Sequence, residues 1–307
     1  MAQILHSLME TDLRLAAALD QEVRVLLTDQ VSIRDSGAIL YTGTVNGTGS
    51  DTKRIRLAGL DGYDAMSSAG ESAVSNTSLT DASADIAVAR LALRYDLHDL
   101  AEFTGTGTGD ISVERLSKSM VGAFNQGFNA LVANVVDDFS TNVGTSGVDM
   151  SADDYYDATY QMDLNSVPGP YYAGLHGRQI ADFKDSWRAE SGPVQWREDA
   201  QNVVALKGQG YQGELLNVGV WAMSDIVAAG GNREGGLWGL GALGYADGNP
   251  NIVTGSGSAI VRPAGDSPVY VEIQRDADAG HTEIVGNAYV GVAILEQGRG
   301  VGIVTDQ

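Results

Sequence analysis

Cysteine is absent from the 307 residues. That excludes disulfides, thiolate-held metals and cysteine nucleophiles. Lysine is almost absent: Lys53, Lys118, Lys184 and Lys207 are the full set. Prolines number 6 against 39 glycines, so tight turns and loops are expected, not stiff Pro-rich linkers. No apolar run reaches the roughly 18 residues that a membrane helix needs. The opening MAQILHSLMETDLRL lacks the basic and apolar regions of a signal peptide, so a soluble protein used in a cytoplasm is expected. Positive charge is scarce: 19 Lys+Arg stand against 40 Asp+Glu, a net charge of -21. Such a field repels nucleic acid and anionic lipid, which argues against sequence-specific DNA reading and against a membrane role.

Catalytic and ligand-binding signatures are missing as well. His6, His98, His176 and His281 include no pair at i+3 or i+4, so no local zinc site can form, and they read as ordinary surface residues. Gly105-Thr-Gly-Thr-Gly109 precedes a helical stretch but lacks the Lys-Ser/Thr of a phosphate cradle, so it reads as a hinge. No Gly-x-Ser-x-Gly elbow occurs. Asp276-Ala-Asp278-Ala-Gly280 opens like a calcium loop, but puts Gly at the fifth position and Asn287 where a bidentate Glu is needed. No enzyme, cofactor or metal is expected.

The clearest positive signal is one stripe. Val113, Leu116, Met120, Phe124, Phe128, Leu131, Val135 and Phe139 are spaced by threes and fours. The spacing predicts a helix over 112–140 with Ser112 as N-cap and Ile111 as hydrophobic staple. Its other face is unusual. No residue from Ser119 to Val136 is charged, and Gly122, Asn125, Gln126, Asn129 and Asn134 stand where Lys and Glu normally do. Either this helix is buried between two layers, or its back faces something that must not be bound tightly.

Around it the chain alternates. Residues 1–28 carry a weak helical face that includes Leu19, Val23 and Leu26. Residues 38–97 read as two long strands flanking GLDGYDAMSSAGESAVSNTSLTDAS, a segment too polar to own a core. The return strand changes phase between Val88 and Leu91, as a bulge or a switch of supporting layer would produce. Helices are expected at 153–163, where Tyr155, Tyr156 and Tyr160 group, and at 177–188. Strands are expected at 171–175, 203–206, 215–220, 253–261, 269–274, 283–295 and 300–305, with a loose Gly-rich stretch over 230–248.

TKRIRLAG with DIAVARLALRYDLHDLAEF, then ISVERLSKSMVGAFNQGFNALVANVVDDF, YYAGLHGRQIADFKDSW and TEIVGNAYVGVAIL, resemble in order the major capsid proteins of tailed bacteriophages, a lambdoid-type fold shared with encapsulins. The resemblance covers nearly the whole chain. It implies an α+β architecture: an N-terminal arm at 1–37, an E-loop hairpin at 38–97, a P-domain at 98–150 with its spine helix, an A-domain at 151–268, P-domain strands and P-loop at 269–297, and a return strand at 298–307.

The implied function is a major capsid protein that forms pentamers and hexamers of an icosahedral virion shell around double-stranded DNA. A separate scaffolding protein and a portal protein are expected partners, with a decoration protein as an optional one. Arg54, Arg56, Tyr63 and Glu71 of the E-loop and Arg275, Asp276, Asp278 and Glu283 of the P-loop are the expected intersubunit residues; Gly122, Asn125 and Asn129 are expected to face the interior. With Lys53 the one lysine near the E-loop, covalent cross-linking is not expected. The alternatives are an encapsulin-type shell around a cargo enzyme, a soluble enzyme of unfamiliar class, and an extracellular adhesion module.

Overall fold

The computed structural model describes residues 33–59, 80–98, 113–191, 211–226, 228–229, 232–248, 258–261, 269–276, 278 and 280–306, together with 18–19, 21–23 and 26. The chain runs β1 (Leu40–Thr44), β2 (Thr52–Gly59), β3 (Thr80–Ala87), β4 (Ala89–His98), α1 (Val113–Val136), β5 (Asn142–Gly144), α2 (Ala152–Leu164), β6 (Tyr171–Leu175) and α3 (Gly177–Ser191). It continues as β7 (Tyr211–Leu215), β8 (Val218–Ala222), β9 (Ala228–Ala229), β10 (Asn232–Gly239), β11 (Leu243–Gly248), β12 (Ser258–Val261), β13 (Val269–Asp276), β14 (His281–Ile294), a short 3-10 turn and β15 (Gly300–Asp306).

Two sheets carry the molecule. A six-stranded sheet has the path β1-β11-β14-β13-β12, with β4 also paired to β14. A seven-stranded sheet has the path β5-β15-β10-β6-β8-β7, with β9 on β10. β2 and β3 form a separate two-stranded ribbon. The phase change in the return strand is therefore a change of sheet. β3 pairs with β2, and after Val88 the chain continues as β4 along β14. Sheet membership also cuts across the sequence divisions. β1, inside the expected E-loop, and β11 and β12, inside the expected A-domain, all lie in the six-stranded sheet, whereas β5 joins the seven-stranded one.

α1 spans 24 residues, a rod of about 36 Å. Ile111 and Ser112 lie outside the described residues. Its apolar stripe is buried as the spacing predicts: Leu116, Met120, Phe124 and Phe128 join β13 and β14 residues in one core, and Leu131 is half-buried. Phe128 meets Tyr245 of β11 edge-on at 5.7 Å. Leu19 and Val23 are helical and belong to the same core. A second core gathers α2, α3 and the seven-stranded sheet. Ser151 caps α2: its hydroxyl accepts from Asp154 N while the Asp154 carboxylate accepts from Ser151 N, a reciprocal pair.

Two expectations fail for local reasons. The strand expected over 215–220 is a hairpin, because Leu216 and Asn217 both adopt positive φ (51° and 63°), the two-residue turn that suits strand twist. The loose stretch over 230–248 is two strands, β10 and β11. Its glycines mark close approach and not looseness: a Cβ on Gly236 would collide with Val136 at the end of α1. The expected strand 203–206 lies outside the described residues.

Candidate assembly surfaces

The β2–β3 ribbon has two unlike faces, set by its period of two. One face carries Ile55, Ala84 and Ile86, which pack on Ala246 of β11 and on Ala293 and Leu295 at the end of β14. The ribbon crosses the sheet at Gly291, where a Cβ would fall on the Ala87 carbonyl oxygen. The other face carries Arg54, Arg56 and Asp85. The Arg54 guanidinium grips Asp85 through two hydrogen bonds of 2.8 and 2.7 Å. That grip holds the Asp85 carboxyl below the usual range and raises Arg54. Arg56 is exposed and has no ion pair among the described residues. Tyr63 and Glu71 lie outside the described residues.

The second surface is the β13–β14 hairpin end. Residues Asp276 and His281 are opposite each other at its close, and the backbone N–H of Asp278 donates to Asp276 Oδ1 at 3.0 Å. Arg275 and Asp278 are exposed; Glu283 and Asp276 are half-buried. Arg275 Nη1 donates to Thr282 Oγ1 at 3.4 Å. The centre of charge was not legible from the hairpin alone. Arg94 of β4 donates from Nε to Asp96 at 2.6 Å and sets Nη2 2.8 Å from Glu283. Asp96 is the main cause of the raised Arg94 pKa. His281, expected at the surface, is instead only 6% exposed, with Nε2 3.2 Å from Glu283. Asp96, His281 and Glu283 bring donor atoms within 4.8 Å of one another, the spacing of a metal site. Arg94 already supplies the cation there. The alternation of Arg90, Arg94 and Asp96 along one face of β4 was the available signal.

The third surface is the amide face of α1, and here the expectation is corrected. Asn125 is 3% exposed, buried inside the subunit, and neither of its side-chain polar atoms has a hydrogen-bond partner among the described residues. Gly122 and Asn129 are half-buried, and Asn129 Oδ1 is buried without a partner. Gln126 is exposed. Val121 and Val132, the helix neighbours of Asn125, belong to the main core, as do Leu19 and Val23 of the N-terminal segment. Arg34 adds its guanidinium over the Phe124 ring at 5.5 Å.

No protein-family model and no curated protein matches the sequence. Solved structures do match the fold. The capsid of Ralstonia phage GP4 superposes with a TM-score of 0.60 at 11% identity, covering 91% of this chain and 89% of that one. The capsid of cyanophage P-SCSP1u gives 0.54 at 14%, covering 91% and 89%. The holo-SrpI encapsulin complex of Synechococcus elongatus PCC 7942 gives 0.61 at 12%, covering 91% and 90%. The chain has the tailed-phage major capsid fold. In that fold's terms α1 is the spine helix and the β2–β3 ribbon is the stem of the E-loop. Because an encapsulin fits as well as a phage capsid, the fold alone does not choose between the two contents.

A carboxylate pair sits where the spine helix meets the seven-stranded sheet. Asp137, just past the helix, hydrogen-bonds Glu234 of β10 and pushes its carboxyl up to about 7. The last turn of the helix has no basic residue to offset its negative end.

Proposed function

We propose that this protein is the major capsid protein of a tailed bacteriophage, forming pentamers and hexamers of an icosahedral shell around double-stranded DNA. The observation that carries the reading is the shared architecture: about nine-tenths of this chain and of the phage capsid chains superpose. The exposed surfaces suit assembly. The E-loop stem buries one face on its own sheet and holds Arg54 and Arg56 outward on the other. Asp85 balances Arg54 there, so Arg56 is the cation this face offers to an acidic neighbour in a chain of net charge -21. The P-loop residues Arg275, Asp276, Asp278 and Glu283, with Arg94, form a second intersubunit contact in this reading. DNA is enclosed without sequence-specific contacts, because an acidic inner wall lets it slide. A scaffolding protein, a portal protein and a decoration protein are the partners that go with it.

The encapsulin-type shell is the second reading, favoured by the TM-score of 0.61 to the Synechococcus complex. Purified particles from the native source separate the two. Nuclease-protected double-stranded DNA supports the phage capsid; a co-purifying enzyme in place of DNA supports the encapsulin.

A further inference from the structure

Among the described residues, eight large apolar side chains lie open to solvent, and three of them share one helix. Tyr156, Tyr160 and Leu164 of α2 are 43%, 58% and 57% exposed. Their spacing of four sets them in one row along the helix. The Tyr156 ring is held in place before any contact, stacked on Trp187 at 5.7 Å, which lowers the ordering cost of docking. The other five are single residues or, at Leu40 and Tyr41, a neighbouring pair on β1, where Tyr41 already packs on Tyr245.

The charge beside the row is of one sign. A solvated helix face normally mixes Lys with Glu, but α2 has no lysine or arginine among its 13 residues. Asp153, Asp157 and Asp163 are all exposed along it. Asp163 stands in the last turn, at the negative end of the helix dipole, and no basic residue there offsets it. The Tyr171 hydroxyl donates to Asp163 Oδ1 at 3.4 Å, a neutral contact that leaves the charge in place. An apolar row with an acidic border is the complement of an apolar surface that carries cations. This chain has no such segment to give outside the described residues. Residues 1–32, 60–79 and 99–112 are each net acidic, and 192–210, 249–257 and 262–268 are net neutral. On the β2–β3 ribbon, Asp85 already holds Arg54.

We propose that the outer face of α2 docks a short amphipathic helix of a separate, basic protein. Its apolar side chains lie on the tyrosine–leucine row, and its Lys or Arg side chains meet Asp153, Asp157 and Asp163. The proposal rests on the shell reading above for its repetition, and gives an accessory partner a place and a chemistry. At roughly 200 Å² for a whole tyrosine, the row offers about 300 Å², well under the ~800 Å² per partner of a stable globular pair. That footprint suits a helical segment. Each contact is weak singly, and a partner with several such segments gains from the many copies on one shell.

The probe is a fluorescently labelled helical peptide with leucines on one face and lysines on the other, titrated by anisotropy into unassembled subunits and into particles. Saturable binding to both is expected, weaker as salt rises. Y160S/L164S keeps every charge and should bind about tenfold more weakly. D153N/D157N should lose a similar factor, whereas D51N/D138N, which removes two exposed acids elsewhere, should keep the parental affinity. Parental affinity for Y160S/L164S, or an equal loss for the two Asp-to-Asn pairs, would show that the peptide follows net charge alone and would overturn the proposal. Binding to subunits but not to particles would overturn it too, because a second copy of this chain would then cover the face. Failure of the unsubstituted chain to form particles would count against the shell reading, while the subunit titrations would still decide the chemistry of the face.

Discussion

Asn125 is the residue at which burial and chemistry disagree most. Its amide lies in the subunit core with both polar atoms unpartnered, and each such atom costs about 1–3 kcal/mol of lost hydration. Leucine keeps the branch at the same carbon and removes both polar atoms. It is bulkier, and overpacking commonly costs about 1–3 kcal/mol. One turn earlier, however, a Cβ on Gly122 would meet nothing within 4 Å, so there is room for the two bulkier methyls that replace the amide oxygen and nitrogen. Asn125→Leu should therefore stabilise the unassembled subunit by about 1–2 kcal/mol, a gain of roughly 2–4 °C in Tm per kcal/mol. Asn125→Lys should do the opposite, because it buries a charge with no partner, a loss of about 3–5 kcal/mol. Urea and thermal melts of unassembled subunits read both. A loss of about 1 kcal/mol or more for Asn125→Leu, or a parental melt for Asn125→Lys, would refute the burial of an unsatisfied amide.

Phe128, fully buried between Phe124 and Tyr245, should cost about 3–5 kcal/mol when truncated to alanine, read by the same melts. Gly291→Ala drives a Cβ into the Ala87 carbonyl and should unseat the E-loop stem from β14. Faster amide exchange across 84–88 checks this, with an expected loss of about 2 kcal/mol. Glu234, whose carboxyl beside Asp137 is pushed from the ordinary 4.5 up to about 7, binds more protons folded than unfolded between those values, so its contribution to stability is full below the lower one and is lost as pH rises through about 7. Discounted for solvent screening, the fall from pH 5 to 8 should be about 1–2 kcal/mol, and Glu234→Gln should flatten it in pH-dependent melts.

The spine helix was legible because its stripe repeats at helical spacing over many turns, and burial of Leu116, Met120, Phe124 and Phe128 needs nothing beyond that period. β13 and β14 were legible as strand-rich segments near the end of the chain. The β7–β8 hairpin was not, because its turn uses Leu216 and Asn217 at positive φ without a glycine. β10 and β11 were hidden by glycines whose purpose is close approach to Val136 and Leu295, contacts made far away in sequence. The amide face of α1 failed likewise. Asn125 looks like a solvent residue in its own helix, and only the remote Leu19 and Val23 reveal a covered core. Arg54 and Arg56 lie on the ribbon, and Arg275, Asp276, Asp278 and Glu283 lie at the hairpin end; their intersubunit role belongs to the proposed function. Arg94 and His281 were missed because their partners sit across strands.

Electron microscopy of the purified, concentrated protein tests the shell-forming reading most directly. Closed icosahedral particles built of five- and six-membered rings are the predicted result. A population that stays monomeric or forms only small open oligomers across salt and pH, with its subunits folded, would contradict it.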